Sequence, residues 1–318
     1  MHGIITIFKK ELSDHFSSYR FLILFALIAM VSLITVYMAG MSISKDLADV
    51  AKPKFVFLML FTSSGVHFSL VQFVAFFGPL IGLILGFDTI NRERNEGTLS
   101  KLLSQPIYRD AVINGKFLAG VAMISIMMVS IVLVVSGLGL MVIGVIPGVE
   151  EVWRIFIYLI ISIVYISLWL GFAILFSIIF RSVATSALAA LALWIFFSFF
   201  VSLGASAVAK AVTSEGESRE NEIRRIRIYK AISLTSPMEL YSDSTATIID
   251  PMRRTTRIDR IAQAGILEKL SMSRFSGPLP LNQSILVVMP YIITLIAIAV
   301  ICFAISYTVF MRQEIRSL

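Results

Sequence analysis

Residues 155–180 read Ile155-Phe-Ile-Tyr-Leu-Ile-Ile-Ser-Ile-Val-Tyr-Ile-Ser-Leu-Trp-Leu-Gly-Phe-Ala-Ile-Leu-Phe-Ser-Ile-Ile-Phe180, without an Asp, Glu, Lys or Arg. At about 1.5 Å of rise per helical residue, such a run exceeds the ~30 Å hydrocarbon core of a bilayer. Five more runs share its character: Phe21 to Met41, Val66 to Phe87, Phe117 to Ile146, Val183 to Ala209 and Ile285 to Met311. In hydrocarbon each backbone amide must be bonded within its own helix or within a closed barrel, and these runs are too long for barrel strands. The pattern predicts an all-α polytopic membrane protein with six transmembrane helices.

Composition agrees: 58% of the residues are hydrophobic, 15% are charged, and the mean hydropathy is +0.89. The net charge of +7 is spread between the spans rather than gathered in one aromatic-studded patch, so no nucleic-acid partner is expected. The single Cys302 lies inside the sixth run and reads as packing. The first run begins behind Lys9, Lys10 and Arg20 and is long for a cleaved signal, so it reads as an uncleaved span.

With six spans both termini share a side. Eleven Lys and Arg lie in the short segments on that side, among them Lys9, Arg92, Lys116 and Arg312, against Lys45, Lys52, Lys54 and Arg154 on the other. Basic residues in short loops stay in the cytoplasm, so both termini are expected there, in a multi-pass protein of the cell (plasma) membrane. The stretch 210–284, with twelve basic and nine acidic residues, is set aside because long segments cross largely regardless of charge.

The chain then divides into four parts. Residues 1–20 place Ile4, Ile5, Phe8, Leu12 and Phe16 on one helical arc, with Glu11 intruding. This fits either an N-terminal interfacial helix or an extension of the first span. Residues 21–210 hold spans one to five and a loop at 88–116. Residues 211–284 are expected to form a helical extracytoplasmic segment, with helices near 217–234 and 253–271 and breakers at Ser236-Pro237 and Asp250-Pro251. Substrate recognition and simple packing as a cap are both open to it. Residues 285–318 are the sixth span and a cytoplasmic tail.

Within the spans, Gly78, Gly82 and Gly86 recur every four residues and predict close helix packing. Pro79 beside them predicts a kink. Small residues also open the fifth span, from Ser182 to Ala190.

The chain contains few groups capable of catalysis. Of three histidines, His2 and His15 precede the first span and His67 stands at the mouth of the second, without a second catalytic group nearby. No nucleophile with a base, no metal-ligand spacing, no cofactor motif and no phosphate-cradling Gly-rich loop appears, so neither an enzyme nor a bound metal is expected. With no ionisable residue inside any run, a proton or cation relay is not expected either. If the chain transports, its energy comes from a partner.

The loop after the second span suits such a contact. Leu99, Leu102 and Leu103 form a short apolar stripe able to seat in a groove or lie on lipid, beside Arg92, Glu93, Arg94 and Glu96. The run Glu93-Arg-Asn-Glu96-Gly97-Thr98-Leu99-Ser-Lys-Leu102-Leu103-Ser104-Gln-Pro106-Ile-Tyr-Arg109, continuing to Gly115-Lys116, resembles the cytoplasmic loop of ABC type-2 permeases, the membrane subunits of ATP-binding-cassette exporters. Within that family it is most similar to the branch that includes the permease of nitrous oxide reductase maturation. Six spans, the N-terminal helix and a large segment before the last span extend the likeness along the chain. The 211–284 segment is larger than in shorter relatives.

The resemblance implies an exporter permease that works as a homodimer in membrane lipid, docked on a separate cytoplasmic ABC ATPase. It implies contact roles for Glu93, Arg94, Glu96, Gly97, Thr98, Leu99, Leu102 and Leu103, and a smaller contact near Arg181. The residues alone leave a second possibility, a non-transporting scaffold or sensor using the same loop for docking.

Overall fold

The computed structural model describes residues 2–46, 55–62, 69–104, 107–212, 219–251 and 279–313. Among them there is no strand. Six helical stretches are long and apolar enough to cross a membrane: Tyr19–Ile43, Leu70–Asn95, Arg109–Ile143, Val149–Ile179, Val183–Val212 and Leu281–Arg312. The protein is an all-α polytopic membrane protein, as its apolar runs dictate.

Helix α1 (His2–Phe16) is separated from α2 (Tyr19–Asp46) by a turn at Ser17 and Ser18, so it is a distinct helix and not an extension of the first span. Its buried face is Ile7 and Glu11, whereas Ile5 and Phe16 of the expected apolar arc are about half exposed. Gly115 lets this face come close, because a Cβ there would lie 2.8 Å from Ile7. Glu11, the misfit of the sequence pattern, turns inward to meet a lysine.

The fourth span, α8 (Val149–Ile179), is the hub. Around it pack α4 (Leu70–Gly86), α7 (Arg109–Ile143) and the last span, α13 (Leu281–Arg312). Gly78, Gly82 and Gly86 run down the α4–α8 seam. A Cβ on Gly82 would sit 2.5 Å from the Ile166 carbonyl oxygen and 2.7 Å from the Leu170 nitrogen, so the two backbones touch. Without a hydrophobic driving force in lipid, such contact supplies the dispersion that holds helices together. Pro79 lies within α4 and cannot donate to the carbonyl of Ala75. The Tyr165 hydroxyl donates to that oxygen instead, at 2.8 Å.

Sequence reasoning missed two helices. A short one, α3 (Val56–Thr62), lies between the first two spans where only a loop was expected; Phe57, Leu58, Leu60 and Phe61 are buried, and Glu151 accepts from the Phe57 amide at 3.1 Å. The other lies between the fifth and sixth spans. The fifth span is α9 (Val183–Ile195), a π-helical turn at Phe196–Phe200 and α10 (Val201–Val212). From it α11 (Arg219–Ser233) returns along α10, matching the helix expected near 217–234. The two expected breakers then bracket a buried helix, α12 (Pro237–Ile249), with Pro237 in its first turn, where a missing N–H costs nothing. The helix expected near 253–271 lies outside the described residues, as does His67.

Helix α12 runs beside α8 from inside the bundle out to its far end rather than simply covering that end. At its start the Ser236 hydroxyl donates to the Phe197 carbonyl in the π turn at 2.8 Å. Tyr241 stacks on Tyr165, centroids 4.3 Å apart, and shares a 2.8 Å hydrogen bond with Ser162. At its end, Ile248 offers its carbonyl to Arg154 at 2.8 Å. Arg154 and Tyr165 are about 16 Å apart along α8.

Arg154 shows that apolar runs free of ionisable residues do not keep such a group out of the bundle. The helices outrun the apolar stretches, and Arg154, one residue before the fourth run, is wholly buried. Its guanidinium pairs with Glu150 at 2.8 Å, donates to the Leu279 carbonyl at 2.6 Å, and lies 5.5 Å over the Phe55 ring. It therefore clasps α8, α12 and the start of α13 at the end of the bundle remote from the termini.

Candidate functional site

At the termini-bearing end the chain from Phe87 to Tyr108 forms two short helices, α5 (Asn91–Asn95) and α6 (Thr98–Leu103). Gly97 joins them at φ +69°, a left-handed conformation that disfavours a side chain. A helix start leaves amides without intrahelical partners. Here Ser177 of α8 accepts from the amides of Ile90 and Asn91, at 2.9 and 3.1 Å. Ser186 of α9 donates to the Phe87 carbonyl at 2.8 Å, and Asn91 reaches the Ser182 carbonyl at 3.4 Å. The turn into α5 is thus bonded to both the fourth and the fifth spans.

A buried charge network fixes the other side. Lys116, one residue before the third apolar run, is 4% exposed. Its ammonium lies 2.9 Å from both Glu11 of α1 and Glu93 of α5. Lys10 adds contacts of 3.1 Å to Glu11 and 3.5 Å to Glu93. Two carboxylates thus face two ammonium groups, so each buried charge has a partner of opposite sign. Burial alone would raise the Glu11 pKa; Lys116 and then Lys10 outweigh it and hold the carboxyl below its ordinary range. His15, on the same helix, is pushed below its usual value, mainly by burial.

The last span is tied in as well. Gln313, just past α13, accepts from Arg94 at 2.5 Å and donates to the Ile178 carbonyl at 2.8 Å. Arg109 donates to the Gln313 carbonyl at 3.1 Å. Two guanidinium groups therefore stand where the last turn of α13 presents unpaired carbonyls, the favourable end of a helix for a cation.

The predicted contact residues divide between two faces. Glu93 points inward to Lys116. Leu99 is 1% exposed within the chain's own core, and Leu102 packs half-buried beside it. Arg94 is engaged by Gln313. Glu96, Gly97 and Thr98 are exposed, with Glu96 paired to Arg92 at 2.9 Å and the Thr98 hydroxyl donating to the Glu93 carbonyl at 3.2 Å. The Leu103 side chain lies outside the described set. Gly78, Gly82 and Gly86 are on the α4–α8 seam and reach the site only through the turn at Phe87. Arg181 is exposed.

Ser177, Lys116 and Gln313 were not singled out by sequence reasoning. A serine in an apolar run carries no signature of its own. Lys116 lay in the Gly115-Lys116 pair of the family-like loop, and that was the only available signal.

A loop of two short helices, anchored in four spans and in α1, can transmit displacement as one body. A model described as ABC-2 family transporter protein matches residues 5–315, almost the entire chain. The chain belongs to the ABC-2 transporter family. It is therefore a multi-pass transmembrane subunit of an ABC transporter, the component that forms the membrane part and not the catalytic one. Permeases of the ABC-2 family generally act with a cytoplasmic ABC ATPase. Among curated proteins none matches the chain.

Proposed function

We propose that this ABC-2 chain is the permease of an ATP-driven exporter in the plasma membrane, with both termini in the cytoplasm and α5–α6 as the coupling element for a separate ATPase. The observation that carries the proposal is the two-sided construction of that element. Its inner face, through Glu93, Leu99 and the capped turn at Asn91, is committed to the chain itself. Its outer face, with Glu96, Gly97, Thr98 and Lys101 exposed, is available to a partner. Closure of two ATPase subunits on ATP would push on this face and, through Ser177 and Ser186, displace the fourth and fifth spans.

The substrate path forms between two copies of the permease. The fifth span supports this assignment: only 11% of its apolar window is buried within one chain, which leaves a large face for a second copy. Helices α11 and α12 then lie in the half of the bundle remote from the termini, against α10 and α8.

The test is co-purification with the ATPase expressed from the same operon or locus, followed by measurement of ATP turnover in nanodiscs. Charge reversal on the outer face, Glu96→Lys with Lys101→Glu, is expected to lower permease-dependent turnover about tenfold, as loss of an interface anchor does. Leu188→Trp on the exposed face of α9 should leave ATPase binding intact. A scaffold would show no dependence of turnover on either variant. Absence of any bound ATPase, or turnover indifferent to the charge reversal, defeats the proposal.

A further inference from the structure

A cavity of about 800 Å³ opens at the termini-bearing end between α1, the start of α2, α4 to α6 and α7. Its size is that of a small-ligand site. Five basic and five acidic side chains line it, so its floor carries both signs in equal number. Its wall toward the bilayer is different in kind: Phe21 and Leu24 of α2, Ile84 and Leu85 of α4, and Met127 of α7. Helix α2 packs chiefly on α7 and touches α4 little, and the cavity is lined by Phe21 and Leu24 of α2 together with Ile84 and Leu85 of α4. Beyond the wall, Leu27 and Met30 of α2 are at least half exposed, continuing the apolar surface into the membrane.

We infer that this cavity holds a phospholipid with a zwitterionic head, taken from the leaflet at the termini-bearing end. The argument is complementarity in two respects. A head bearing one phosphate and one ammonium finds partners of both signs on the floor. Arg20 and Asp14, paired to Asp88 and Lys10 respectively, are each still more than half exposed and so can each add a partner of opposite sign. An anionic head would add net charge to a floor whose charges already balance, whereas a zwitterion adds none, and that cost grows in a partly desolvated site. The acyl chains run up the apolar wall, which a soluble zwitterion would leave wet. The site follows from the chain alone and does not depend on the ATPase or on transport, so it can fail while the proposed function stands.

The experiment uses the full chain in nanodiscs of phosphatidylethanolamine, phosphatidylcholine and phosphatidylglycerol in equal parts, transferred to mild detergent and analysed by native mass spectrometry. Retention of roughly one zwitterionic lipid per chain, about tenfold over phosphatidylglycerol, is expected. Leu24→Trp fills the apolar wall and should abolish retention, whereas Ile293→Trp, on an exposed face of α13, should not. Unchanged far-ultraviolet circular dichroism and gel-filtration elution establish that both variants are folded. Soluble glycerophosphoethanolamine should fail to displace the lipid; displacement would assign the site to a free headgroup and overturn the lipid. No retained lipid, equal retention of phosphatidylglycerol, or equal loss in both variants also overturns the inference.

Discussion

The hydroxyl of Tyr165 donates at 2.8 Å to the carbonyl of Ala75, the acceptor to which Pro79 has no N–H to give. A proline inside a buried helix is tolerated when a neighbour repairs the broken ladder, and here the repair comes from the helix on which α4 packs. Tyr165→Phe should therefore destabilise the bundle by about 1–3 kcal/mol, the cost of an unsatisfied buried carbonyl. Adding Pro79→Ala, which restores the amide donor, should recover most of the loss. Thermal unfolding in one detergent for the two single variants and the double variant closes the cycle, and a purely additive result rejects the assignment.

Two glycines on adjacent spans should respond in opposite directions. Gly82→Ala places its methyl against backbone atoms of Ile166 and Leu170, which cannot rotate away, and overpacking of this kind costs ~1–3 kcal/mol. At Gly137 of α7 nothing stands within 4 Å of the added methyl, so Gly137→Ala should be neutral or gain up to about 1 kcal/mol of helix propensity. Equal effects at the two positions would count against the α4–α8 seam.

The network at the termini-bearing end makes stability fall with acid, in two stages. His15 has a lowered pKa, so the unfolded chain takes up its proton first as pH drops below the ordinary value of 6.5, and the native state loses ground from there. Glu11 is lowered from 4.5. Its contribution is complete above that value and disappears as pH falls through the lower native one. His15→Gln should remove the first stage and leave the second, as measured by melting temperature from neutral pH down to about pH 3. A melting temperature that rises on acidification contradicts both assignments.

Arg154→Met should be among the most damaging single changes, at about 3–5 kcal/mol, because Glu150 and the carbonyls of Ile248 and Leu279 lose one shared donor. Arg154→Lys should rescue little, since a point ammonium cannot reach three acceptors in the fork geometry of a guanidinium. The comparison of melting temperatures is decisive: a lysine variant equal to the native chain removes the clasp from the account.

The spans were legible because bilayer thickness turns length and hydropathy into structure almost without competing terms. Gly82 was legible as a packing residue because period four is itself geometric. The helix at Pro237–Ile249 was not. Its ends were recognised as breakers, but its middle, Tyr241 to Thr247, is polar enough to read as a surface turn. What makes it helical and buried is tertiary: Ser162 and Arg154 satisfy groups that the local pattern leaves open, and Tyr165 stacks on Tyr241. The contact loop shows a similar division. Helix α6 follows from the leucine spacing, whereas α5, which has no leucine, and the inward commitment of Glu93 and Leu99 depend on Lys116 and on a core assembled from distant runs.

Ser177 and Arg154 stand 23 positions apart on one uninterrupted helix, roughly 35 Å along its axis. One grips the turn that leads into α5, and the other grips α12 together with the entry to α13. Tilting the helix from below must therefore swing its upper grip sideways or tear one of two sets of hydrogen bonds. A transporter with this layout needs no chain of relays between its ends, because a single lever already connects them.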